Sequence, residues 1–141
     1  MKQIKIAEKI AREVHKGQKR TIGRKEDYIE HPKRVASHFS TQESKIVAWL
    51  HDVLEDSNLT GYDLEDKGIY MGLVKIVYIL TKRDESYLNY ILRIKENKFA
   101  TKIKIADIRD NLEKLPEGNL REKYLMALYI LETNQKGVEL K

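Results

Sequence analysis

The sequence predicts an all-α, single-domain protein, and three observations carry that prediction. Apolar residues recur at spacings of three and four along most of the chain, the period of an amphipathic helix. No segment alternates apolar and polar residues with a second such segment to pair with it. At 141 residues the chain suffices for one hydrophobic core and is too short for two. The expected architecture is one domain over residues 1–141, a bundle of about six to eight helices. Its core should span about residues 3–133, with a loose tail after Asn134.

The elements follow in order. Ile4, Ala7, Ile10, Ala11 and Val14 mark a first amphipathic helix that Gly17 can end. The polar, basic stretch from Lys16 to Asp27, broken by Gly17 and Gly23, reads as an exposed loop. Pro32 suits the first turn of a helix running to about Phe39. Ser40 or Thr41 can cap the next helix, whose apolar frame is Ile46, Val47, Leu50, Val53 and Leu54. Thr60 can cap a short helix from Gly61 to Lys67. Leu73 to Leu80 is an apolar run with Val74, Val77 and Leu80 at helical spacing. Tyr87, Tyr90, Ile91 and Ile94 give a further helix ending near Asn97. Another runs from Ala100 to Leu115, where Pro116 and Gly118 stop it. The last spans Arg121 to about Thr133, with Tyr124, Leu125, Leu128 and Leu131 apolar.

Composition narrows the function classes. The absence of cysteine excludes disulfides, thiolate metal sites and a catalytic thiol. Residues 1–14 lack the continuous apolar run of a signal peptide, and no segment reaches the length of a membrane span. A cytoplasmic protein is expected. The net charge of +5 favours anionic ligands, a phosphorylated small molecule or a nucleic acid, although a lysine-rich surface also serves solubility alone.

The densest chemistry lies in His51-Asp52-Val53-Leu54-Glu55-Asp56. If this segment is helical, His51 stands above Glu55 and Asp52 above Asp56. Three carboxylates so close repel one another unless a cation offsets them, and imidazole with carboxylate suits a first-row divalent metal. His31, beside Pro32, and Asp107 are the other candidate donors. Two imidazoles and two carboxylates leave an octahedral metal two open positions, a catalytic arrangement in place of a closed structural one. Asp107, Asp110 and Asn111 share one helix face, opposite Ile103 and Ile105 or Ala106. His15, at the end of an amphipathic helix, reads as a packing residue, and His38 as a surface residue.

Five segments appear in order: His15-x-Gly17-Gln18-x-Arg20, Tyr28-Ile29-x-His31-Pro32-x-x-Val35-Ala36, Leu50-His51-Asp52-Val53-x-Glu55-Asp56, Leu80-Thr81-Lys82 and Lys104-Ile105-Ala106-Asp107-x-x-x-Asn111-Leu112. Together they resemble the HD-type hydrolase domain of the RelA/SpoT alarmone enzymes, and above all the small stand-alone hydrolases akin to the metazoan SpoT homologue. The resemblance runs from about residue 3 to residue 130. It implies an all-helical HD fold and a Mn²⁺-dependent pyrophosphohydrolase that removes the 3′-diphosphate of ppGpp and pppGpp.

Carried over residue by residue, the resemblance makes His31, His51, Asp52 and Asp107 metal ligands. It makes Glu55 and Asp56 the pair that orders and deprotonates the attacking water. Arg20 matches an arginine that clamps the guanine nucleotide, and Asn111 an asparagine that holds its sugar–phosphate portion. Lys25, in the basic loop with Lys16, Lys19, Arg20 and Arg24, and Lys82, Arg121 and Tyr124 complete the expected substrate contacts. The Arg20–Tyr28 loop is longer than the usual family spacing, Asp27 replaces a common proline, and Arg109 and Asp110 depart from the usual wording of the last motif. These departures touch the base pocket, so NADPH (through its 2′-phosphate) or a nucleoside monophosphate is the alternative substrate. A catalytically silent domain binding nucleotide or RNA is a further alternative, against which the retained Glu55–Asp56 pair argues. A nucleic-acid partner is not expected. The Leu125–Leu131 face leaves room for a homodimer.

Overall fold

The computed structural model describes residues 2–133, and the tail expected to be loose after Asn134 lies outside them. Among the described residues the chain forms eight helices and one two-stranded hairpin: α1 (Gln3–Val14), β1 (Lys19–Arg20), β2 (Glu26–Asp27), α2 (Glu30–Ser37), α3 (Gln42–Leu50), α4 (Gly61–Asp66), α5 (Met71–Leu80), α6 (Tyr87–Lys95), α7 (Lys98–Leu112) and α8 (Asn119–Glu132). The all-α expectation holds. None of these helices is long and apolar enough to cross a membrane.

Local chemistry explains most boundaries. Thr41 caps α3, its hydroxyl accepting from the Ser44 N–H at 3.2 Å. Thr60 and Asp63 form a reciprocal capping box on α4. Asn97 accepts from the Ala100 N–H at 2.8 Å, so α7 begins at Lys98, earlier than the apolar pattern suggested. At its other end α7 stops at Leu112. Arg121, from α8, donates to the carbonyls of Leu112 and Leu115 at 3.0 and 2.9 Å and satisfies groups that a helix end leaves open. Gly17, at φ +81°, supplies the left-handed turn that ends α1.

One expectation needs correction. The stretch 16–27 is not simply a loop: it contains the β1–β2 hairpin, with Lys19 opposite Asp27 and Arg20 opposite Glu26. Two-residue strands made of charged residues carry no apolar alternation, so cross-strand ion pairs hold them where hydrophobic burial does not. On α8, Leu125 is 44% exposed, while Ala127 and Leu131 take the buried positions.

The core gathers Leu50, Leu64, Ile69, Ile91, Ile94, Ile103 and Ile108, all essentially inaccessible to solvent. Each such side chain contributes about 1.5–3 kcal/mol by leaving water. Helix α3 packs on α1, α2, α5 and α7, and α7 also meets α2, α6 and α8. The end of α3, the start of α2 and the second half of α7 therefore converge at one place.

The segment between α5 and α6 is held from beneath by Arg93. Its guanidinium donates to the carbonyls of Ile79 (2.8 Å) and Thr81 (3.2 Å) and to both carboxylate oxygens of Glu85 (3.1 and 2.7 Å). Replacing Arg93 by alanine strands two partly buried carbonyls. We expect a loss of about 2 kcal/mol, read as a lower urea midpoint at unchanged slope.

Candidate metal centre and catalytic rim

Helix α3 ends one residue before the His–Asp doublet, and the doublet lies in consecutive turns, not on the helix expected for it. The His51 side chain explains the break. Its Nδ1 donates to the Ala48 carbonyl at 2.6 Å, occupying an acceptor that the next helical turn needs. Residues 50–56 then proceed through tight turns, with the Val53 N–H on Leu50 O at 3.0 Å and the Asp56 N–H on Asp52 O at 3.1 Å. The stacking of His51 over Glu55 therefore does not apply. Instead the turns bury His51 and leave Glu55 and Asp56 at the rim.

The four donors nominated from the sequence meet. His31 arrives on the first turn of α2, His51 and Asp52 from the turn after α3, and Asp107 from α7. One atom of each lies within 4.8 Å of all the others. His31 Nε2 is 2.8 Å from Asp107 Oδ1, His51 Nε2 is 3.0 Å from Asp52 Oδ2, and the two Nε2 atoms are 3.2 Å apart. Both Nδ1 atoms have acceptors of their own, Asp110 Oδ2 for His31 and the Ala48 carbonyl for His51. Neutral rings held in this way turn two Nε2 lone pairs toward each other. Two carboxylates, the buried Asp107 and the partly buried Asp52, share the same space. Lone pairs and anions crowded so closely repel, and a divalent cation answers both, since the set of neutral imidazoles and two carboxylates carries a charge of about −2. The donor chemistry thus fits a divalent metal.

Protein groups tune each donor. Burial works against a charged His31, but Asp107 and Asp110 outweigh it and raise its pKa; Asp52 and Asp107 do the same for His51. These are the responses of imidazoles facing anions with no cation between them. The Tyr28 hydroxyl donates to Asp52 Oδ2, and burial together with the Asp52 charge keeps that phenol protonated. The Lys104 amine reaches Asp107 Oδ2 at 2.8 Å, and Asp107 holds it cationic against the cost of burial. Lys104 belongs to the last sequence motif, but its role as a partner for Asp107 was not read from it.

The rim is also organised. Glu55 Oε1 accepts the Lys82 backbone N–H at 2.6 Å. Desolvation raises the Glu55 pKa; the Lys82 amide opposes that rise and the neighbouring Asp52 adds to it. Asp56 Oδ2 accepts from Gln18 Nε2 at 3.2 Å, and Gln18 Oε1 is 2.9 Å from His15 Nδ1. His15 is a buried packing residue against Tyr28, though its bond goes to the Gln18 side-chain oxygen and not to a backbone carbonyl. His38 is exposed.

The expected substrate contacts divide. Lys25 is exposed, and the Lys82 side chain turns to the Arg83 carbonyl at 3.4 Å. Tyr124 stands beside Tyr87, with ring centres 6.3 Å apart, and burial and then Asp107 raise its pKa. Arg20 is not a free clamp. Its side chain is 9% exposed and donates to Asn111 Oδ1 (2.9 Å), Asp110 Oδ2 (3.2 Å) and Glu26 Oε2 (3.3 Å). Asn111 is tied to it and to Asp107 Oδ1 at 3.3 Å. Arg121 is committed to the end of α7, because the carbonyls there need donors.

No family model matches the chain. Among curated proteins it is 33% identical, over 80% of its length, to a guanosine-3′,5′-bis(diphosphate) 3′-pyrophosphohydrolase of Aquifex aeolicus. It is 33% identical over 92% of its length to the protein of that name from Haemophilus influenzae, and 30% identical over 86% to the bifunctional (p)ppGpp synthase/hydrolase SpoT of Escherichia coli. A solved structure described as a metazoan orthologue of SpoT that hydrolyses ppGpp superposes with a TM-score of 0.73, covering 99% of this chain and 91% of that one at 21% identity. The chain shares the fold of that solved structure and is related in sequence to a part of these enzymes. It spans about a fifth of the length of the curated relatives it matches. This fold brings α2, α3 and α7 together, and the donors come from the ends or inner faces of those three helices.

Proposed function

We propose that this HD domain is a Mn²⁺-dependent pyrophosphohydrolase acting on ppGpp and pppGpp, releasing diphosphate and leaving GDP or GTP. One observation carries the reading: four donors, three of them buried and Asp52 partly so, converge within 4.8 Å beside a carboxylate pair at the rim. The activities for which the relatives are named support the choice of substrate.

His31, His51, Asp52 and Asp107 hold the metal. When bound, it lowers the pKa of water and neutralises charge on the attacked phosphoryl group. Glu55 accepts the proton of the attacking water; its raised pKa makes it a stronger base than an ordinary glutamate. The Lys82 amide aims that carboxylate, and Asp56, held by Gln18, orients the water. Water adds at the diphosphate phosphorus bonded to the 3′ oxygen, the P–O3′ bond breaks, and the sugar hydroxyl takes up a proton. Lys25 and Lys82 meet phosphate charge, Tyr124 borders the nucleotide, and Asn111 with Arg20 walls the sugar side.

The substrate assignment is tested by product analysis with ppGpp, NADPH and nucleoside monophosphates in parallel. Diphosphate from ppGpp, with no orthophosphate from the others, is the expected outcome. Orthophosphate from NADPH or a monophosphate, with ppGpp untouched, overturns the substrate while leaving the metal centre in place.

A further inference from the structure

Behind the metal centre lies a second, largely buried polar group built around Asp110, which the proposed reaction does not use. Asp110 sits one turn beyond Asp107 on α7, with its side chain 5% exposed. Its Oδ2 is 2.6 Å from His31 Nδ1. Arg34 clasps the same carboxylate through Nε (2.7 Å, Oδ1) and a terminal nitrogen (3.0 Å, Oδ2). Arg34 also grips Glu26 with two bonds, of 2.9 and 2.5 Å, and Arg20 joins Glu26 to Asp110 from the hairpin. Two arginines and two carboxylates balance in charge, so burial of the group is compensated. Both edges of the His31 ring thus face α7: Asp110 accepts from Nδ1, and Asp107 stands beside Nε2.

We infer that Asp110 is a positioning residue for the metal centre: it fixes the orientation and tautomer of His31, and Arg34 holds Asp110 to that task. A carboxylate on Nδ1–H leaves Nε2 as the lone-pair donor and increases its basicity. Arg34 and Glu26 anchor the carboxylate to α2 and the hairpin, so it cannot swing away with α7 alone. Asp110 stands where the last motif departs from its usual wording. The same network explains why Arg20 faces inward: it completes the support of His31 and leaves base recognition to other groups.

This inference rests on the metal-centre reading, and the test separates the two. Mn²⁺ is titrated calorimetrically into the metal-free full chain, for the wild type, Asp110→Asn, Asp110→Ala and Arg34→Gln, with a melting curve of each. Asp110→Asn and Asp110→Ala are expected to weaken Mn²⁺ binding by about 10- to 100-fold. Arg34→Gln, which keeps the His31–Asp110 contact, should weaken it less, and it decides the matter if the Asp110 variants do not fold. A lowered melting temperature with the dissociation constant within about twofold of wild type makes Asp110 a mere scaffold residue and overturns the inference. Absence of Mn²⁺ binding by the folded wild type overturns the metal centre itself, and the inference with it.

Discussion

His51→Ala abolishes metal binding and turnover together. The ring contributes the Nε2 that lies 3.0 Å from Asp52 and 3.3 Å from Asp107, at the middle of the donor set. Removing it leaves the Asp52 and Asp107 carboxylates facing one another across a smaller set. An outer partner of a metal ligand is worth about 10- to 100-fold in affinity, and a ligand itself is worth more. The expected loss of Mn²⁺ affinity therefore exceeds about 100-fold, with activity falling at least as far. Asp52→Ala should behave alike. Calorimetric titration and initial rates on the same preparation check both. A variant that binds Mn²⁺ normally and turns over excludes His51 as a ligand.

Glu55→Gln separates chemistry from binding. Glu55 is absent from the donor set and, among the described residues, bonds the Lys82 amide, so metal affinity should be unchanged. The amide cannot accept a proton, and kcat should fall by about 10²- to 10⁴-fold. The pH profile carries the same signature. A general base works only when ionised, so the rate rises as pH passes upward through its pKa and is lost below it. Because desolvation raises the Glu55 pKa, with Asp52 adding to the rise against the Lys82 amide, the acid limb of kcat/KM should lie above the ordinary glutamate range of about 4.3. In Glu55→Gln that limb should vanish. A limb that survives in the variant assigns the base elsewhere, with Asp56 the next group to replace.

The residues that meet at the site were legible because donor types at separated places in the chain constrain one another. His31 beside Pro32, the His51-Asp52 doublet and Asp107 three residues before Asp110 stood out as donor types, the resemblance to HD-type hydrolases joined them into one set, and the helices that carry them follow from their apolar frames. What the sequence withheld was the local backbone and the outer partners. A histidine competing for the Ala48 carbonyl ends α3 early, and nothing in an apolar period reveals that. The hairpin of Lys19–Arg20 and Glu26–Asp27 depends on cross-strand charges, and basic residues in a glycine-punctuated stretch read equally well as an exposed loop. Arg20 and Arg121 illustrate the general difficulty. A cationic side chain near an anion site is expected to await substrate, yet one closes a buried charge network and the other satisfies helix-end carbonyls. Asp110 and Lys104 were invisible as partners because long-range pairing with Arg34, His31 and Asp107 appears only once α2 and α7 are packed.

The most direct measurement is a time course of ppGpp with the full chain, once loaded with Mn²⁺ and once after chelation, with nucleotide and phosphate products resolved. GDP and diphosphate appearing together, only with Mn²⁺, is the predicted result. No product from the Mn²⁺-loaded protein, or equal turnover after chelation, would contradict it.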